Sequence, residues 1–389
     1  MTRPLLNRRL EPLGTTIFAE MSAKAVATGS INLGQGFPDT DGPASVAQAA
    51  ADAVLHGRGN QYPPGPGIPE LRQAVSEHQR RFYGLLYDPD REVLVTAGAT
   101  EAIAAALLAL LEPGDEVIAF EPYYDSYAAN IAMAGAVRVP VTLRAPDFRP
   151  DLDALRAAVT PRTRLILLNS PHNPTGAVFT RDELAAIAAL AVERDLLVVT
   201  DEVYEHLTFG VTHIPIVSFP GMRERTVSIS SAGKTFSFTG WKIGWVTGTP
   251  ELVNAVRTAK QFLTYVSGGP FQYAVASALA MPDSYYVDLA ADLRTKRDLL
   301  GTGLEDLGFE VYQPDGTYFI TTDVAPLGEK DGIEFCLSLP DRCGVVAIPS
   351  VVFYDDVKAG RTQVRFAFCK RREVLTEALE RLGSLKQGA

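Results

Sequence analysis

The sequence predicts an α/β protein with a mostly parallel central sheet covered by helices, joined to a smaller α+β domain. Short apolar runs without polar alternation recur through the middle of the chain, which is typical of strands buried on both faces. Helical patterns separate these runs, so we expect parallel strands linked by helices. After about residue 285 the pattern changes to a long helix and a few short strands. We therefore predict a large domain at residues 45–284 and a small domain made of residues 1–44 with 285–389.

The elements follow from local patterns. Apolar runs predict strands at residues 93–96, 117–120, 165–168, 196–200 and 226–230. Apolar residues at helical spacing predict helices at residues 69–82, 101–111 and 180–194. The last helix opens with a capping box formed by Thr180 and Glu183. In the small domain we expect a helix at 288–307, strands at 318–321 and 364–368, and a closing helix with Leu375, Leu379 and Leu382.

Composition excludes several classes of protein. Apolar residues make up 47% and charged residues 21% of the 389 residues, as in a soluble protein with a substantial core. The net charge of −10 argues against nucleic acid as a partner, because phosphate binding needs a basic face. The apolar run 102–111 is about half the length that crosses a bilayer, so we expect no membrane association.

Cysteine and histidine usage points to a cytoplasmic protein without a metal. The three cysteines form no CxxC pair and indicate no disulfide framework, which fits a reducing compartment. The basic start of the chain has no apolar stretch after it, so we expect no signal peptide. The five histidines show no metal-ligand spacing such as HExxH, so we predict no metal site.

Candidate functional residues follow predicted strands. Gly98–Thr100, Asn173, Asp201 and Lys234 each come just after one. Ligands of parallel sheets bind beyond the carboxyl ends of the strands, so these residues are expected to share one site. The shared placement is a stronger signal than any single motif.

Lys234 lies among small and aromatic residues. A desolvated lysine amine loses its proton easily and can form a Schiff base. The alternative is a surface lysine in a Gly/Ser loop. Asp201 is a carboxylate after an apolar strand, suited to holding a heterocyclic nitrogen protonated, although a helix cap or an arginine partner would also explain it.

The other candidates also have two interpretations. Asn173 can donate to an oxygen of a ligand, or Asn-Pro-x-Gly can simply form a turn. The helix start at Gly98–Thr100 can bind an anion, or Thr100 can cap the helix. Lys242 and Ser231 can contribute a charge and a hydroxyl to a phosphate. Arg365 can bind a substrate carboxylate or form a structural salt bridge.

Together these residues resemble the class I/II, fold-type I pyridoxal-phosphate aminotransferases along essentially the whole chain. The segments that carry the resemblance are 31–39 (INLGQGFPD), 60–67 (NQYPPGPG), 121–127 (EPYYDSY) and 231–235 (SAGKT). They are similar to the kynurenine and glutamine aminotransferase branch and to bacterial succinyldiaminopimelate and methionine aminotransferases. The combination is specific for the family and weakly specific for the substrate.

The resemblance implies pyridoxal 5'-phosphate as the cofactor. Lys234 would form the internal aldimine and later move the proton from Cα. Asp201 would pair with the pyridine nitrogen, Asn173 and Tyr204 would hold the phenolate oxygen, and Tyr124 would stack on the ring.

The resemblance also implies a phosphate site, a substrate site and a homodimer. Gly98, Ala99, Thr100, Ser231 and Lys242 would hold the phosphate, together with Tyr62 from a second subunit. Arg365, Asn173 and the Gly36 backbone would bind the substrate carboxylate, with Phe18 near the side-chain pocket. The expected reaction moves an amino group from an L-amino acid to a 2-oxo acid with ping-pong kinetics.

Two positions depart from many relatives. Lys242 stands where many relatives have arginine. The phosphate would therefore be bound by the point charge of an ammonium group instead of by a planar guanidinium group. Ser267–Gly269 is small near the expected partner wall and hints at a roomier pocket. Because no second arginine can be placed for a side-chain carboxylate, we favour neutral, sulfur-containing or aromatic donors and keep succinylated diaminopimelate open.

Three rival functions remain. Ser231-x-x-Lys234 matches one motif of penicillin-recognising hydrolases, but the Ser-Asp-Asn and Lys-Thr-Gly motifs are absent from the sequence. A β-eliminating lyase that acts on cysteine conjugates would use the same fold and cofactor. A pyridoxal-binding regulator without turnover would need a nucleic-acid-binding segment, and none is evident.

Overall fold

The computed structural model describes residues 5–11, 13 and 16–387. Residues 1–4, 12, 14, 15, 388 and 389, which belong to the predicted small domain, lie outside the described residues. The helices of the described part are α1 (Ile17–Thr28), α2 (Ala44–Leu55), α3 (Pro69–Tyr83), α4 (Gly98–Leu110), α5 (Asp125–Ala134), α6 (Leu152–Ala158), α7 (Arg181–Glu193), α8 (Ala232–Thr235), α9 (Pro250–Lys260), α10 (Gly269–Leu279), α11 (Asp283–Asp306), α12 (Gly332–Cys343) and α13 (Arg372–Leu382). The strands are β1 (Ile31–Asn32), β2 (Val93–Thr96), β3 (Glu116–Glu121), β4 (Val137–Thr142), β5 (Thr163–Asn169), β6 (Leu197–Asp201), β7 (Thr226–Ser231), β8 (Gly244–Thr247), β9 (Glu310–Tyr312), β10 (Phe319–Asp323), β11 (Val345–Val346), β12 (Ile348–Pro349) and β13 (Gln363–Ala367).

The central sheet has seven strands in the order β2-β8-β7-β6-β5-β3-β4. Neighbouring strands from β7 to β4 are parallel, and only β8 runs antiparallel to its neighbours β7 and β2. The predicted mostly parallel α/β fold is therefore confirmed. The register pairs Asn169 with Asp201 and Asp201 with Ile229, so the carboxyl ends of β5, β6 and β7 lie side by side.

Helices cover both faces of this sheet. Val117 and Ala119 of β3 pack in one core cluster with residues of α4, α5 and α9, whereas Ile118 and Phe120 pack in another with residues of α7. Both faces of each inner strand therefore need apolar side chains, which explains the missing polar alternation. Burying a side chain such as Ile118 contributes about 1.5–3 kcal/mol.

The remaining strands form two smaller sheets. The antiparallel sheet β12-β13-β10-β9 packs with α11, α12 and α13, as their shared core cluster shows. The N-terminal β1 pairs in parallel with β11, which joins the start of the described chain to this α+β region. The capping box of Thr180 and Glu183 is confirmed. The exact boundaries at residues 45 and 285 stay a prediction.

Some elements differ from those predicted. Helix α4 begins at Gly98, three residues before the predicted start, with Ala97 as its N-cap. The interpretation of Thr100 as the cap is therefore wrong. Strand β4 was not predicted, because its polar residues and Pro140 obscure the apolar pattern of a strand. A proline is tolerated in β4 since this strand lies at the edge of the sheet.

Candidate active site

A cavity of about 460 Å³ lies where the parallel strands of the central sheet end. All but one of the residues proposed from the sequence line it, namely Phe18, Gly36, Gly98, Ala99, Thr100, Tyr124, Asn173, Asp201, Tyr204, Ser231, Lys234, Lys242 and Arg365. Tyr62 is the exception. The expectation that the strand-end residues share one site is thus met by their positions, while the role of each residue remains a proposal.

Lys234 is in the short helix α8, directly after β7. It lines the cavity and is partly buried, so the interpretation as an ordinary surface lysine is wrong. Burial lowers the pKa of its amine from 10.5 to about 8, against the opposing influence of Cys369 and Asp201. Its Nζ lies 3.5 Å from the Gly36 carbonyl oxygen, which is at the outer limit of a hydrogen bond.

Asp201 is the last residue of β6 and is 5% exposed. The Tyr127 hydroxyl donates to its Oδ2 at 2.7 Å, and the Val203 N–H donates to its Oδ1 at 3.3 Å. Burial raises the pKa of this carboxyl group, while both hydrogen bonds oppose that shift. No arginine or lysine of the described residues forms a salt bridge with Asp201. A buried carboxylate held this way favours a cationic ligand group beside it.

Sequence reasoning assigned no role to two neighbours of Asp201. Tyr127 stands three residues after Tyr124, so both can face the same side of the first turn of α5, a spacing that could have identified it. Asn169 ends β5, and its Nδ2 donates to the backbone oxygen of Asp201 at 2.8 Å. These contacts fix Asp201 at the edge of the cavity.

The start of α4 forms an anion-binding corner with Lys242. Gly98 has a φ of +73°, and a Cβ there would lie 3.3 Å from Lys242 Cε. A Cβ at Gly244 would lie 2.6 Å from the Gly98 carbonyl carbon, so the two glycines let β8 approach the helix start. Lys242 Nζ donates to Thr100 Oγ1 at 3.3 Å. Free N–H groups, a hydroxyl and an ammonium therefore meet at the positive end of α4.

Arg365 lies on β13 and is 2% exposed. Its Nη1 donates to Asn173 Oδ1 at 3.1 Å and its Nη2 to the Gly34 carbonyl oxygen at 2.9 Å. Its guanidinium carbon lies 4.0 Å from the ring centroid of Phe319 and 5.2 Å from that of Phe18. Burial lowers the pKa of Arg365 to about 10, which leaves it cationic at neutral pH. No carboxylate of the described residues is within salt-bridge distance, so the structural salt bridge is wrong.

The remaining wall of the cavity is largely aromatic. Tyr204 is 3% exposed and packs edge-to-face on Tyr318, whose hydroxyl donates to the Gly36 carbonyl oxygen at 2.5 Å. A Cβ at Gly36 would lie 2.4 Å from Phe319 Cζ, so only glycine fits this close approach. Tyr124 precedes α5 as its N-cap residue.

Tyr62 lies apart from the cavity. Its side chain is 83% exposed and contacts Tyr265 edge-to-face. A role of Tyr62 at the phosphate therefore depends on a second subunit, as the family resemblance implied. Ser267–Gly269 does not line the cavity either. A Cβ at Gly269 would lie 2.1 Å from the Gly59 carbonyl oxygen, so close backbone packing explains this glycine.

One group of possible metal ligands occurs among the described residues. His78, Glu205 and His206 bring their donor atoms within 4.8 Å of one another, although their sequence spacing gave no signal. The two Nε2 atoms are 2.7 Å apart, which is a hydrogen-bond distance, and both Glu205 oxygens already accept from hydroxyl groups. We assign no metal to this group.

These features fit pyridoxal phosphate. The group needs an anion site at one end, a carboxylate at its ring nitrogen and an amine at its aldehyde carbon. The corner of α4 and Lys242, the buried Asp201 and the low-pKa Lys234 supply them within one cavity. The fold and the site define a pyridoxal-phosphate-dependent transferase of fold type I.

The chain belongs to the aminotransferase class I and II family, whose model matches residues 28–382. It is an enzyme, a pyridoxal-phosphate-dependent aminotransferase. The chain is 55% identical to a probable N-succinyldiaminopimelate aminotransferase of Mycobacterium tuberculosis, over 97% of this chain and 98% of that protein. It is 40% identical to the methionine aminotransferase of Escherichia coli, over 97% of each chain.

Solved structures of aminotransferases are similar to this chain over nearly its whole length. The N-succinyldiaminopimelate aminotransferase structure from M. tuberculosis matches with a TM-score of 0.96, covering 98% of this chain and 100% of that one at 55% identity. The methionine aminotransferase structure from E. coli matches with a TM-score of 0.93, covering 97% and 99% at 40% identity. None of the helices in the described part of the chain has the length and apolar character of a membrane span.

Proposed function

We propose that this aminotransferase takes its amino group from L-amino acids with neutral, sulfur-containing or aromatic side chains and passes it to a 2-oxo acid by a ping-pong mechanism. The observation that carries this proposal is the cavity lining. Arg365 is the one arginine among the described residues that line it, and it is suited to the α-carboxylate. The surrounding wall offers Phe18, Phe37 and Ile243 to a side chain.

The residues divide the chemistry among them. Bound pyridoxal phosphate supplies an electron-withdrawing ring that makes the Cα–H bond of the amino acid acidic. Asp201 keeps the ring nitrogen protonated, and Asn173 and Tyr204 hold the phenolic oxygen. Lys234 Nζ, with its pKa lowered to about 8, accepts the proton from Cα and returns it.

The other residues would bind the cofactor phosphate and the substrate carboxylate. Gly98, Ala99 and Thr100 would hold the cofactor phosphate, with Ser231 and Lys242 as further partners. Tyr124 would pack against the cofactor ring. The substrate carboxylate is bound by Arg365, Asn173 and the Gly36 backbone, and Phe18 contacts the substrate side chain.

We further propose a cytoplasmic homodimer in which Tyr62 of one subunit completes the phosphate site of the other. Tyr62 and Tyr265 form an exposed aromatic patch through their edge-to-face contact, and the exposed Phe262 stands three residues before Tyr265. Glu101 Oε1, in the first turn of α4, accepts from the Thr264 N–H at 3.2 Å, which places the patch beside the anion-binding corner. Such patches are typical of subunit interfaces. Light scattering should give twice the chain mass, and Tyr62→Phe should weaken cofactor retention.

A second specific activity is favoured by one comparison. The relative that is 55% identical is named for N-succinyldiaminopimelate, an amino acid with carboxylates beyond the one on its reacting Cα. The decisive experiment is a donor screen with methionine, kynurenine, aspartate and N-succinyldiaminopimelate, followed by loss of the cofactor absorbance. We expect aspartate to be the poorest donor, and aspartate as the best donor would contradict the proposal. Pyruvate released from a cysteine conjugate without any oxo acid would instead favour the β-lyase activity.

A further inference from the structure

Glu205 is a buried carboxylate just behind the active site. It is 5% exposed, and burial raises its pKa to about 7. The Ser230 hydroxyl donates to its Oε1 at 2.5 Å, and the Tyr83 hydroxyl donates to its Oε2 at 2.6 Å. One carboxylate thus joins β7, the end of α3 and the turn after β6.

Two of these elements carry the reacting groups. The turn follows Asp201, the last residue of β6, and contains Tyr204, the residue directly before Glu205. Strand β7 continues from Ser230 into Ser231 and then into α8 with Lys234. Asp201 therefore lies four residues from Glu205, and Lys234 lies four residues from its partner Ser230.

The backbone pairing between β6 and β7 ends before Ser230. The register of β6 and β7 ends with the pair Asp201 and Ile229, and the last backbone bond runs from Glu202 N–H to the Ile229 carbonyl oxygen at 2.8 Å. Beyond that point β7 is paired only with β8 among the described strands, with Ser230 opposite Trp245. The bond between Ser230 and Glu205 replaces the missing backbone pairing.

We propose that Glu205 is a positioning residue of the aminotransferase reaction, which sets the distance between the turn carrying Asp201 and Tyr204 and the strand that delivers Lys234. This inference rests on the proposed roles of Lys234 and Asp201. A Lys234→Ala variant that still turned over would overturn those roles, whereas variants of Glu205 and of its two hydrogen-bond partners test the positioning role alone.

The first test compares Glu205→Ala with Glu205→Gln in the complete enzyme. Alanine removes both hydrogen bonds, so Lys234 should be misplaced and kcat should fall at least about 10-fold with a smaller change in KM. The deuterium isotope effect with a Cα-deuterated donor should increase, because proton transfer becomes slower. Glutamine can still bond both hydroxyl groups and should keep kcat within about three-fold of the natural enzyme.

Glu116 provides a matched control. It is 3% exposed, and its Oε2 accepts from the Thr160 hydroxyl at 2.6 Å, but it begins β3 at the opposite end of the sheet. Glu116→Ala should lower thermal stability without changing the isotope effect. If Glu205→Ala has the same kcat and isotope effect as Glu116→Ala, or if Glu205→Gln loses as much as Glu205→Ala, the proposal is wrong.

Two milder variants keep the proposal testable if Glu205→Ala does not fold. Ser230→Ala removes the bond to β7, and Tyr83→Phe removes the bond to α3. Of the two hydrogen bonds of Glu205, only the one from Ser230 comes from the strand that leads to Lys234. Ser230→Ala should therefore raise the isotope effect, and Tyr83→Phe should change it less. Equal isotope effects in both variants and in the natural enzyme would overturn the assignment.

Discussion

Arg365 donates from Nη1 to Asn173 Oδ1 at 3.1 Å, while its buried Nε has no hydrogen-bond partner among the described residues. A buried guanidinium with an unused donor is costly unless a ligand completes it. Asn173 was proposed to touch both cofactor and substrate, so this bond couples the two binding sites. A carboxylate that reached Nε would complete the hydrogen bonds of Arg365 without disturbing Asn173.

Replacing Arg365 by lysine should therefore weaken substrate binding. A lysine keeps the charge but cannot form the planar, two-point contact. Since hydrogen bonds to charged groups contribute about 1.5–3 kcal/mol, kcat/KM should fall about 10- to 100-fold, mainly through KM. Steady-state kinetics with one donor measure this. Arg361→Lys is the control, because Arg361 is an exposed residue with a 3.8 Å contact to Asp331. Equal kinetics for both variants would contradict the carboxylate role.

The reaction of cofactor-free enzyme with pyridoxal phosphate should depend on the protonation of Lys234. Burial lowers the pKa of this amine to about 8, so the reactive neutral form increases as the pH rises and predominates above about 8. Stopped-flow absorbance should show a rate that rises with pH and levels off near pH 8 to 9. A rate that still rises toward pH 10.5 would indicate an ordinary lysine. Lys234→Ala should show no such reaction and no multiple turnover.

Tyr127→Phe should raise the pKa of Asp201 further. The Tyr127 hydroxyl stabilises the charged carboxylate, so its loss favours the protonated form and the acid limb of the pH–activity profile should move to higher pH. We expect kcat at neutral pH to fall about 10-fold, the usual scale for one lost charged hydrogen bond. Tyr123→Phe removes a comparable bond to Asp355 at 2.9 Å and should leave the profile unchanged. If the acid limb of Tyr127→Phe is not shifted, Tyr127 does not set the pKa of Asp201.

Gly98→Ala should reduce cofactor affinity. Gly98 has a φ of +73°, and the new Cβ would press on Lys242, so the anion-binding corner must open. Gly84 has a similar φ of +68° with nothing within 4 Å of a Cβ, which makes Gly84→Ala a control for backbone strain alone. Both variants should lose roughly 1–2 kcal/mol of unfolding free energy. Only Gly98→Ala should bind pyridoxal phosphate about 10-fold more weakly in fluorescence titrations. Equal affinities would argue against this corner as the phosphate site.

The sequence by itself determined the fold class, five strands and three helices of the large domain, and thirteen of the residues that line the cavity. It could do so because these signals are local: apolar runs, helical spacing and polar residues just after strands. Lys234, Asp201 and Asn173 follow strands, and the carboxyl ends of parallel strands meet at one edge.

Only the tertiary structure determined which side chains form hydrogen bonds with one another. Tyr127 reaches Asp201 across 74 positions, Arg365 reaches Asn173 across 192, and Glu205 meets Ser230 beyond the last paired residues of β6 and β7. The antiparallel β8 was also beyond the sequence pattern. Such contacts depend on strand register and on how the helices pack, and no local spacing encodes either of them. A desolvated lysine is therefore predictable from sequence, whereas the bonds that set its position and acidity are not.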